Sequence, residues 1–137
     1  MSEGFSIEQM EVGQTATMSK TVTEADVVLF AGVTGDFNPA HIDADYAAAS
    51  VFKERIAHGM LSAGFISATV AMKLPGPGTI YLSQNLKFKA PVFIGDTVKT
   101  TVTITAINEK RKVVKVDTVC TVGGKTVVGG EASLMKP

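Results

Sequence analysis

The segment HGMLSAGFISATVAMKL, residues 58–74, decides the fold of this chain. Its apolar side chains recur at helical spacing, and one stripe of them consists of Met60, Leu61, Phe65, Ala68 and Met72. At about 1.5 Å per residue the segment predicts a helix roughly 25 Å long, and PGPG at residues 75–78 predicts an abrupt end. A helix that is apolar on most sides is expected to be buried.

Most of the remaining chain predicts β-strands. Residues 14–22 and 79–90 have strand composition, the stretches 98–106 and 114–122 alternate apolar with mostly polar side chains, and Gly123-Gly124 predicts a hairpin into a last strand. Because these strands are consecutive and linked by turns, we expect an antiparallel meander. A sheet that curls around one long apolar helix hides both apolar surfaces, which predicts an α+β hotdog fold.

Composition narrows the class of protein. The 137 residues suit a single domain, residues 1–137, and 45% of them are hydrophobic. Thirteen basic residues balance thirteen acidic ones without clustering, which argues against nucleic-acid binding. The N-terminus lacks an export signal and the apolar segment is too short to span a membrane, so we expect a cytoplasmic protein. The single cysteine, Cys120, fits an apolar packing position within a strand.

The stretch TGDFNPAH, residues 34–41, holds the most unusual set of polar residues. Thr23 begins a helix with a capping-box pattern, Gly35 breaks it, and Asp43 can cap another short helix. The stretch is therefore predicted to be a stiffened loop between two short helices. Asp36 and His41 are five residues apart, so only the fold of the loop can bring them together.

The residue types favour proton transfer over other chemistries. The sequence lacks the Cys/His spacing of a zinc site, a phosphate-binding Gly-rich motif and a serine nucleophile elbow. An acid near a histidine suits the movement of protons to and from water. Taken singly, Asp36 is equally typical of a turn, and His41 is more typical of a structural histidine. HIDAD at 41–45 offers a weaker metal hypothesis, since Asp43 serves better as a cap and no second histidine lies at ligand spacing.

Two residues at the start of the long helix have alternative interpretations. His58 is interpreted as an ordinary residue at a helix start. Gly59 lies in the first turn, where unpaired backbone N–H groups and the helix dipole could hold a ligand oxygen, so it is a candidate oxyanion site. The alternative is that Gly59 only eases the entry of the chain into the helix.

Four stretches resemble the MaoC-like (R)-specific enoyl-CoA hydratases across almost the whole chain. They are FAGVTGDFNPAHIDADYA, AHGMLSAGFIS, LPGPGTIYLSQNLKFKAPVFIGD and GEASLMKP. The family signature is supplied here by Gly35, Asp36, Asn38, Pro39, His41 and Ala47. Ala40 departs from the pattern, because the family usually has a larger aliphatic residue at this position.

The resemblance implies a hotdog fold with an overhanging Asp-His segment, and the hydration of trans-2-enoyl-CoA to (R)-3-hydroxyacyl-CoA without metal or organic cofactor. It implies that Asp36 and His41 hold and activate the water, and that Gly59 donates to the thioester oxygen. It also implies that Ser67 orients the aspartate and that Asn38 either braces the loop or shapes the site. A homodimer joined through sheet edges is expected as well, because an open sheet leaves an edge to cover.

Other functions remain open on the sequence. A hotdog thioesterase, a dehydratase acting on acyl carrier protein and an inactive acyl-binding domain are the alternatives. Leu61, Phe65 and Ile80 are candidates for the floor of an acyl tunnel. Possible partners of the CoA phosphates are Lys53, Arg55, Lys87 and Lys89, although solvated surface positions are the favoured interpretation.

Overall fold

The computed structural model describes residues 3–137. A single 3-10 turn at Ile7–Gln9 precedes the main elements. The helices are α1 (Glu24–Thr34), α2 (Pro39–Ile42), α3 (Ala44–Ala48) and α4 (Gly59–Met72). The strands are β1 (Thr15–Thr21), β2 (Ile80–Phe88), β3 (Thr97–Asn108), β4 (Val113–Val122) and β5 (Lys125–Met135). None of the described helices is long and apolar enough to cross a membrane.

The five strands form one antiparallel sheet in the order β1-β3-β4-β5-β2. The predicted meander is right for β3, β4 and β5 and wrong for β2, which pairs with β5 at the far edge. Glycine in β5 permits this pairing, because a Cβ added to Gly130 would lie 1.9 Å from the main-chain oxygen of Asn85. The connection over residues 89–96 then returns the chain to β3.

Helix α4 packs on the sheet through one face. Ser62, Ile66, Thr69 and Val70 are buried, and the helix contacts β1, β3, β4 and β5. The predicted stripe is wrong, since Met60 is 59% exposed and Met72 is 53% exposed. A helix that is apolar all round does not reveal which side meets the sheet, and here the sheet covers only one side.

Two clusters of buried side chains form the core. One contains Val70, Leu74, Val102, Ile104, Val114, Val116 and Leu134, and the other contains Val22, Val27, Ile66, Val98, Cys120 and Val128. The thiol of Cys120 is fully buried, as its predicted packing role requires, and burial raises the pKa of that thiol. The second cluster lies beneath the helices that carry the polar loop, because Val27 of α1 belongs to it.

Local sequence determines the ends of the short helices. Thr23 caps α1 with a reciprocal capping box to Asp26, and Gly35 ends α1 in the left-handed conformation with φ 81°. Asn38 caps α2, which has Pro39 in its first turn, and Asp43 caps α3 by accepting from two main-chain N–H groups. The predicted caps at Thr23 and Asp43 are therefore confirmed.

Candidate active site

The structure brings Asp36, His41 and His58 into one cluster. One side-chain ligand atom from each of the three lies within 4.8 Å of the others. Two acceptors that bind the same water at about 2.8 Å each are roughly 4.5 Å apart. The carboxylate of Asp36 and the imidazole of His41 are thus close enough to share a water molecule.

Asp36 lies directly after the helix break at Gly35. Its main-chain N–H donates to Oγ1 of Thr34 at 3.2 Å, and its Oδ1 accepts from the N–H of Asn38 at 3.1 Å. Asn38 in turn uses its own Oδ1 to accept from the N–H of Ala40 at 3.1 Å. The N–H groups of Asp36, Asn38 and Ala40 thus all donate to nearby side chains, and Asn38 stabilises the conformation of the loop.

Hydrogen bonds to both the ring and the main chain of His41 determine its position. Nδ1 lies 2.8 Å from the carbonyl oxygen of Ile56, and because a carbonyl only accepts, Nδ1 carries the proton. The neutral ring therefore has its lone pair on Nε2. Nε of Arg55 donates to the carbonyl of His41 at 2.6 Å.

Arg55 links this loop to the first helix. Its Nη1 lies 3.0 and 2.9 Å from the two carboxylate oxygens of Glu24, and its side chain is only 18% exposed. The guanidinium of Arg55 is thus engaged with Glu24 and with His41, and the weaker sequence-based suggestion that Arg55 contacts CoA phosphates stays a prediction.

His58 is a functional candidate that the sequence reasoning interpreted as an ordinary helix-start residue. It is the N-cap of α4 and is 2% exposed, yet its side chain does not cap the helix. Nε2 donates to the main-chain oxygen of Asp36 at 2.9 Å, and the ring stacks on His41 with centroids 3.9 Å apart and planes at 30°. Its position beside Gly59 was the one sequence signal for this role.

His58 also contacts a second aromatic ring and has one unpaired ring nitrogen. The ring of Phe30 lies 4.8 Å from His58 between centroids, at 48°. Nδ1 of His58 is buried and has no hydrogen-bond partner among residues 3–137. An unpaired buried polar atom costs about 1–3 kcal/mol, so its presence calls for a functional or structural compensation.

Gly59 is the first residue of α4, as the sequence predicted for a donor at the helix start. Within the described chain, the N–H groups of Gly59 and Met60 find no main-chain or side-chain acceptor. A Cβ added to Gly59 would lie 2.8 Å from two carbons of the Phe88 ring. The glycine therefore allows Phe88 to cross the helix start. The two N–H groups of the first turn are available to bind a ligand oxygen.

Ser67 lies between two open clefts on α4. The first, about 490 Å³, is lined by Phe30, Thr34, Asp36, Met60, Ala63, Gly64 and Ser67. The second, about 360 Å³, is lined by Met60, Ala63, Ser67, Tyr81, Gln84, Leu86 and Phe88. Ser67 thus shares a cleft with Asp36, although its hydroxyl forms no hydrogen bond with that carboxylate in the described part of the chain.

The residues predicted for the floor of an acyl tunnel line neither of these two clefts. Leu61 and Phe65 pack instead against the second core cluster, and Ile80 is 47% exposed. Tyr81 supplies the cleft with a hydroxyl that donates to Oε1 of Gln84 at 2.6 Å, and burial raises the pKa of this phenol. A further cavity, about 400 Å³, is bordered by His41, His58, Gly59, Phe88 and Lys89.

The three clustered side chains include two histidines and an acid, which are metal-ligand types. An ion bound by imidazole lies near the plane of the ring. The rings of His41 and His58 are stacked with planes only 30° apart, so their lone pairs cannot converge on one ion unless a ring turns. Turning either ring would break its bond to Ile56 or Asp36. The arrangement fits proton transfer better than metal binding.

Comparisons with known proteins are consistent over nearly the whole chain. The family described as MaoC like domain matches residues 8–125. An (R)-specific enoyl-CoA hydratase of Rhodospirillum rubrum is 58% identical over 130 residues, which cover 95% of this chain and 90% of the relative.

Solved structures agree with this result. The R-hydratase PhaJ1 from Pseudomonas aeruginosa matches with a TM-score of 0.93 and 47% identity, over 98% of this chain and 86% of that one. The (R)-hydratase of Aeromonas caviae involved in PHA biosynthesis matches with a TM-score of 0.92 and 43% identity, over 95% of this chain and 99% of that one.

Proposed function

This chain belongs to the MaoC-like family of (R)-specific enoyl-CoA hydratases, and we propose that it hydrates trans-2-enoyl-CoA to (R)-3-hydroxyacyl-CoA with Asp36 and His41 as the proton-transfer pair. The observation that carries this proposal is the approach of the two side chains to within 4.8 Å, beside the free N–H groups at the start of α4. The predicted α+β hotdog fold is confirmed by the solved hydratases.

The hydrogen bonds of His41 support its assignment as the base. Because Nδ1 donates to Ile56, the unprotonated Nε2 accepts a proton from the water as the water oxygen bonds to the β-carbon of the substrate. Asp36 accepts the second O–H of this water and favours the imidazolium that forms. The electron pair of the C=C bond moves toward the thioester, and the imidazolium then returns a proton to the α-carbon on the same face.

The start of α4 stabilises the negative charge of the enolate. Gly59 N–H, with Met60 N–H behind it, donates to the thioester oxygen, and the positive end of the helix dipole adds to this stabilisation. Removal of one such donor typically costs about 3 kcal/mol of transition-state stabilisation. The absence of a side chain at residue 59 makes room for the ring of Phe88, which borders the same cavity as Gly59.

Two more residues have supporting roles in this proposal. Ser67 donates to Asp36 when the substrate closes the cleft that both side chains border, and Asn38 keeps the loop in shape through its cap on α2. The reaction uses the acid, the imidazole and main-chain donors, and we propose that it requires neither a metal nor an organic cofactor. We propose that the chain is one domain, as predicted for residues 1–137, since a single sheet carries the five strands of the described residues 3–137.

The acyl chain occupies the cleft beside Ser67, and Tyr81 and Gln84 stand at its polar end. We propose that short acyl chains fit best, because these polar groups border the apolar lining formed by Leu86 and Phe88. Lys89 borders the cavity next to Gly59, where it is placed to meet the CoA portion. The cytoplasmic location expected from the N-terminus stays a prediction.

A homodimer is part of the proposal. The edge strand β2 has exposed apolar side chains, including Leu82 at 48% and Phe88 at 54%, next to the exposed Met60 of α4. Pairing of two β2 edges would cover these residues and close the clefts that border Ser67.

The test is incubation with crotonyl-CoA. Hydration removes the absorbance of the conjugated thioester and releases no thiol, and chiral analysis is expected to give the (R)-alcohol. Release of free CoA would instead identify a thioesterase. Binding without turnover would identify an inactive acyl-binding domain, and turnover of only the acyl-carrier-protein thioester would identify the dehydratase.

A further inference from the structure

We propose that His58 is a positioning residue that aligns both members of the catalytic pair with the start of α4. The inference rests on the proposed function of Asp36 and His41 and adds a third residue to it. His58 aligns Asp36 through a hydrogen bond to its main chain, and it aligns His41 by stacking on its ring.

The hydrogen bond acts on the loop. The acceptor is the main-chain oxygen of Asp36, so the bond fixes the peptide that follows Asp36 and with it the direction in which the loop leaves that residue. His58 immediately precedes Gly59, whose N–H group is the proposed enolate donor. One side chain thus fixes the distance between the group that holds water and the group that holds the thioester oxygen.

The stack acts on His41. His58 contacts the rings of both Phe30 and His41, with centroid distances of 4.8 and 3.9 Å, and it is stacked on His41. With Nδ1 of His41 bonded to Ile56 and one face of its ring against His58, the imidazole has no freedom to swing. Nε2 therefore stays directed at the shared water.

A role in capping α4 does not account for a histidine at position 58. N-cap positions favour Ser, Thr, Asp or Asn, which accept from the first turn, and the side chain of His58 makes no such bond. Its Nδ1 is buried and has no hydrogen-bond partner in the described part of the chain. Because its Nε2 lies 2.9 Å from a carbonyl oxygen, which can only accept, His58 is the Nε2–H tautomer.

The two histidines should consequently hold opposite tautomers, and they are the only histidines in the chain. A long-range 1H–15N spectrum of the wild-type protein should show one imidazole protonated on Nδ1 and one on Nε2. The His58→Gln variant assigns them, because only His41 remains. A spectrum in which His58 is protonated on Nδ1 would overturn the proposal without any activity measurement.

The kinetic test uses two amides of different reach. Gln places its amide nitrogen near the position of Nε2 and can still donate to Asp36, whereas Asn reaches only the position of Nδ1. We expect His58→Asn to lower kcat for crotonyl-CoA by roughly 10²-fold with KM within about twofold, since misplacement of a reacting group has effects of this size. His58→Gln should recover part of the lost kcat.

A buried substitution on the same helix is the matched control. Thr69 is fully buried and its hydroxyl bonds only to Phe65, so Thr69→Val perturbs α4 without touching the catalytic pair. Suppose that wild type hydrates crotonyl-CoA. The positioning role is then wrong if His58→Asn and His58→Gln have the same kcat, or if their kcat is no lower than that of Thr69→Val. If wild type itself fails to hydrate, the proposed function is wrong instead.

Discussion

On the face of α4 that packs on the sheet, Ile66, Thr69 and Val70 are at most 1% exposed, whereas on the opposite face Met60 is 59% exposed. Both faces consist mainly of apolar and small side chains. The first face stabilises the fold, and the second borders the clefts that contain Asp36 and Ser67. The difference lies in the neighbours, so substitutions on the two faces should separate stability from catalysis.

The largest expected effect on activity comes from the catalytic pair. Asp36→Asn keeps an oxygen that can accept from Asn38, and His41→Asn keeps a donor near the position of Nδ1 for Ile56. Each should lower kcat by roughly 10²–10⁴-fold, because general acid–base catalysis has this magnitude. Hydration of crotonyl-CoA measures the loss, and the urea midpoint should stay close to that of wild type. Wild-type kcat in either variant would refute the assignment.

Two substitutions at residue 59 isolate the proposed N–H donor. Proline is tolerated in the first turn of a helix, and His58 already has the extended ψ of 134° that a residue before proline prefers. Gly59→Pro should lower kcat by roughly 10²–10³-fold, as expected for the loss of an oxyanion donor.

Gly59→Ala is the matched control, because it keeps the N–H and adds the same contact with Phe88. The ratio of the two kcat values measures the donor alone. Equal activities of the proline and alanine variants would exclude a role for this N–H group.

A substitution on the sheet-facing side should affect stability and spare catalysis. Ile66→Ala removes a fully buried side chain from the second core cluster and should lower the free energy of unfolding by about 2–5 kcal/mol. Urea denaturation at fixed protein concentration measures it, and kcat well below the unfolding transition should equal that of wild type. Met60→Ala, on the exposed face, is the comparison for stability.

Ser67 should show the reverse behaviour with a smaller effect. Ser67→Ala is expected to lower kcat by about tenfold, which corresponds to the loss of about 1.4 kcal/mol, a typical size for one hydrogen bond to a charged group. Its urea midpoint should not change, because the residue is exposed. Ser67→Thr retains the hydroxyl and should restore part of the activity. An unchanged kcat in Ser67→Ala would remove Ser67 from the mechanism.

The smallest expected effect lies far from both faces, at the start of α1. The hydrogen bond from Lys20, together with the capping bonds of Thr23, lowers the pKa of Asp26 below its ordinary value of 3.8. A depressed pKa in the folded state means that the contribution is present above pH 3.8 and is lost as the pH falls through the lower folded value.

Comparison of wild type with Asp26→Asn by urea denaturation at pH 7 and near pH 3 tests this sign. The difference at pH 7 should be about 1 kcal/mol or less, because the ion pair is exposed, and it should shrink in acid. A difference that grows on acidification would contradict the prediction.

Local patterns predicted the elements well. The capping box at Thr23, the cap at Asp43 and the helix start at Gly59 are all decided by neighbouring residues, and the strand bounds follow from alternation and turns. The order of the strands in the sheet was harder to predict from the sequence. The pairing of β2 with β5 depends on a close approach between Gly130 and Asn85, which are distant in the sequence.

Part of the site was predictable, because short local motifs contain some of its residues. Asp36, His41 and Gly59 could be singled out because two short motifs contain them. His58 and Arg55 could not be assigned from the sequence, since their partners are 22 and 31 residues away in Asp36 and Glu24. An apolar helix also conceals which side is exposed, which explains the error at Met60 and Met72.

The loop is held at Asp36 through a carbonyl oxygen, which every amino acid possesses. This anchor is accordingly independent of the functional group at residue 36, whereas the second local bond, from the N–H of Asn38, needs an oxygen on the side chain. An amide keeps both bonds, so an inactive Asp36→Asn variant can be used to capture an unreacted thioester for crystallography. Any other reactive group installed at residue 36 has to retain that oxygen if the loop is to stay organised.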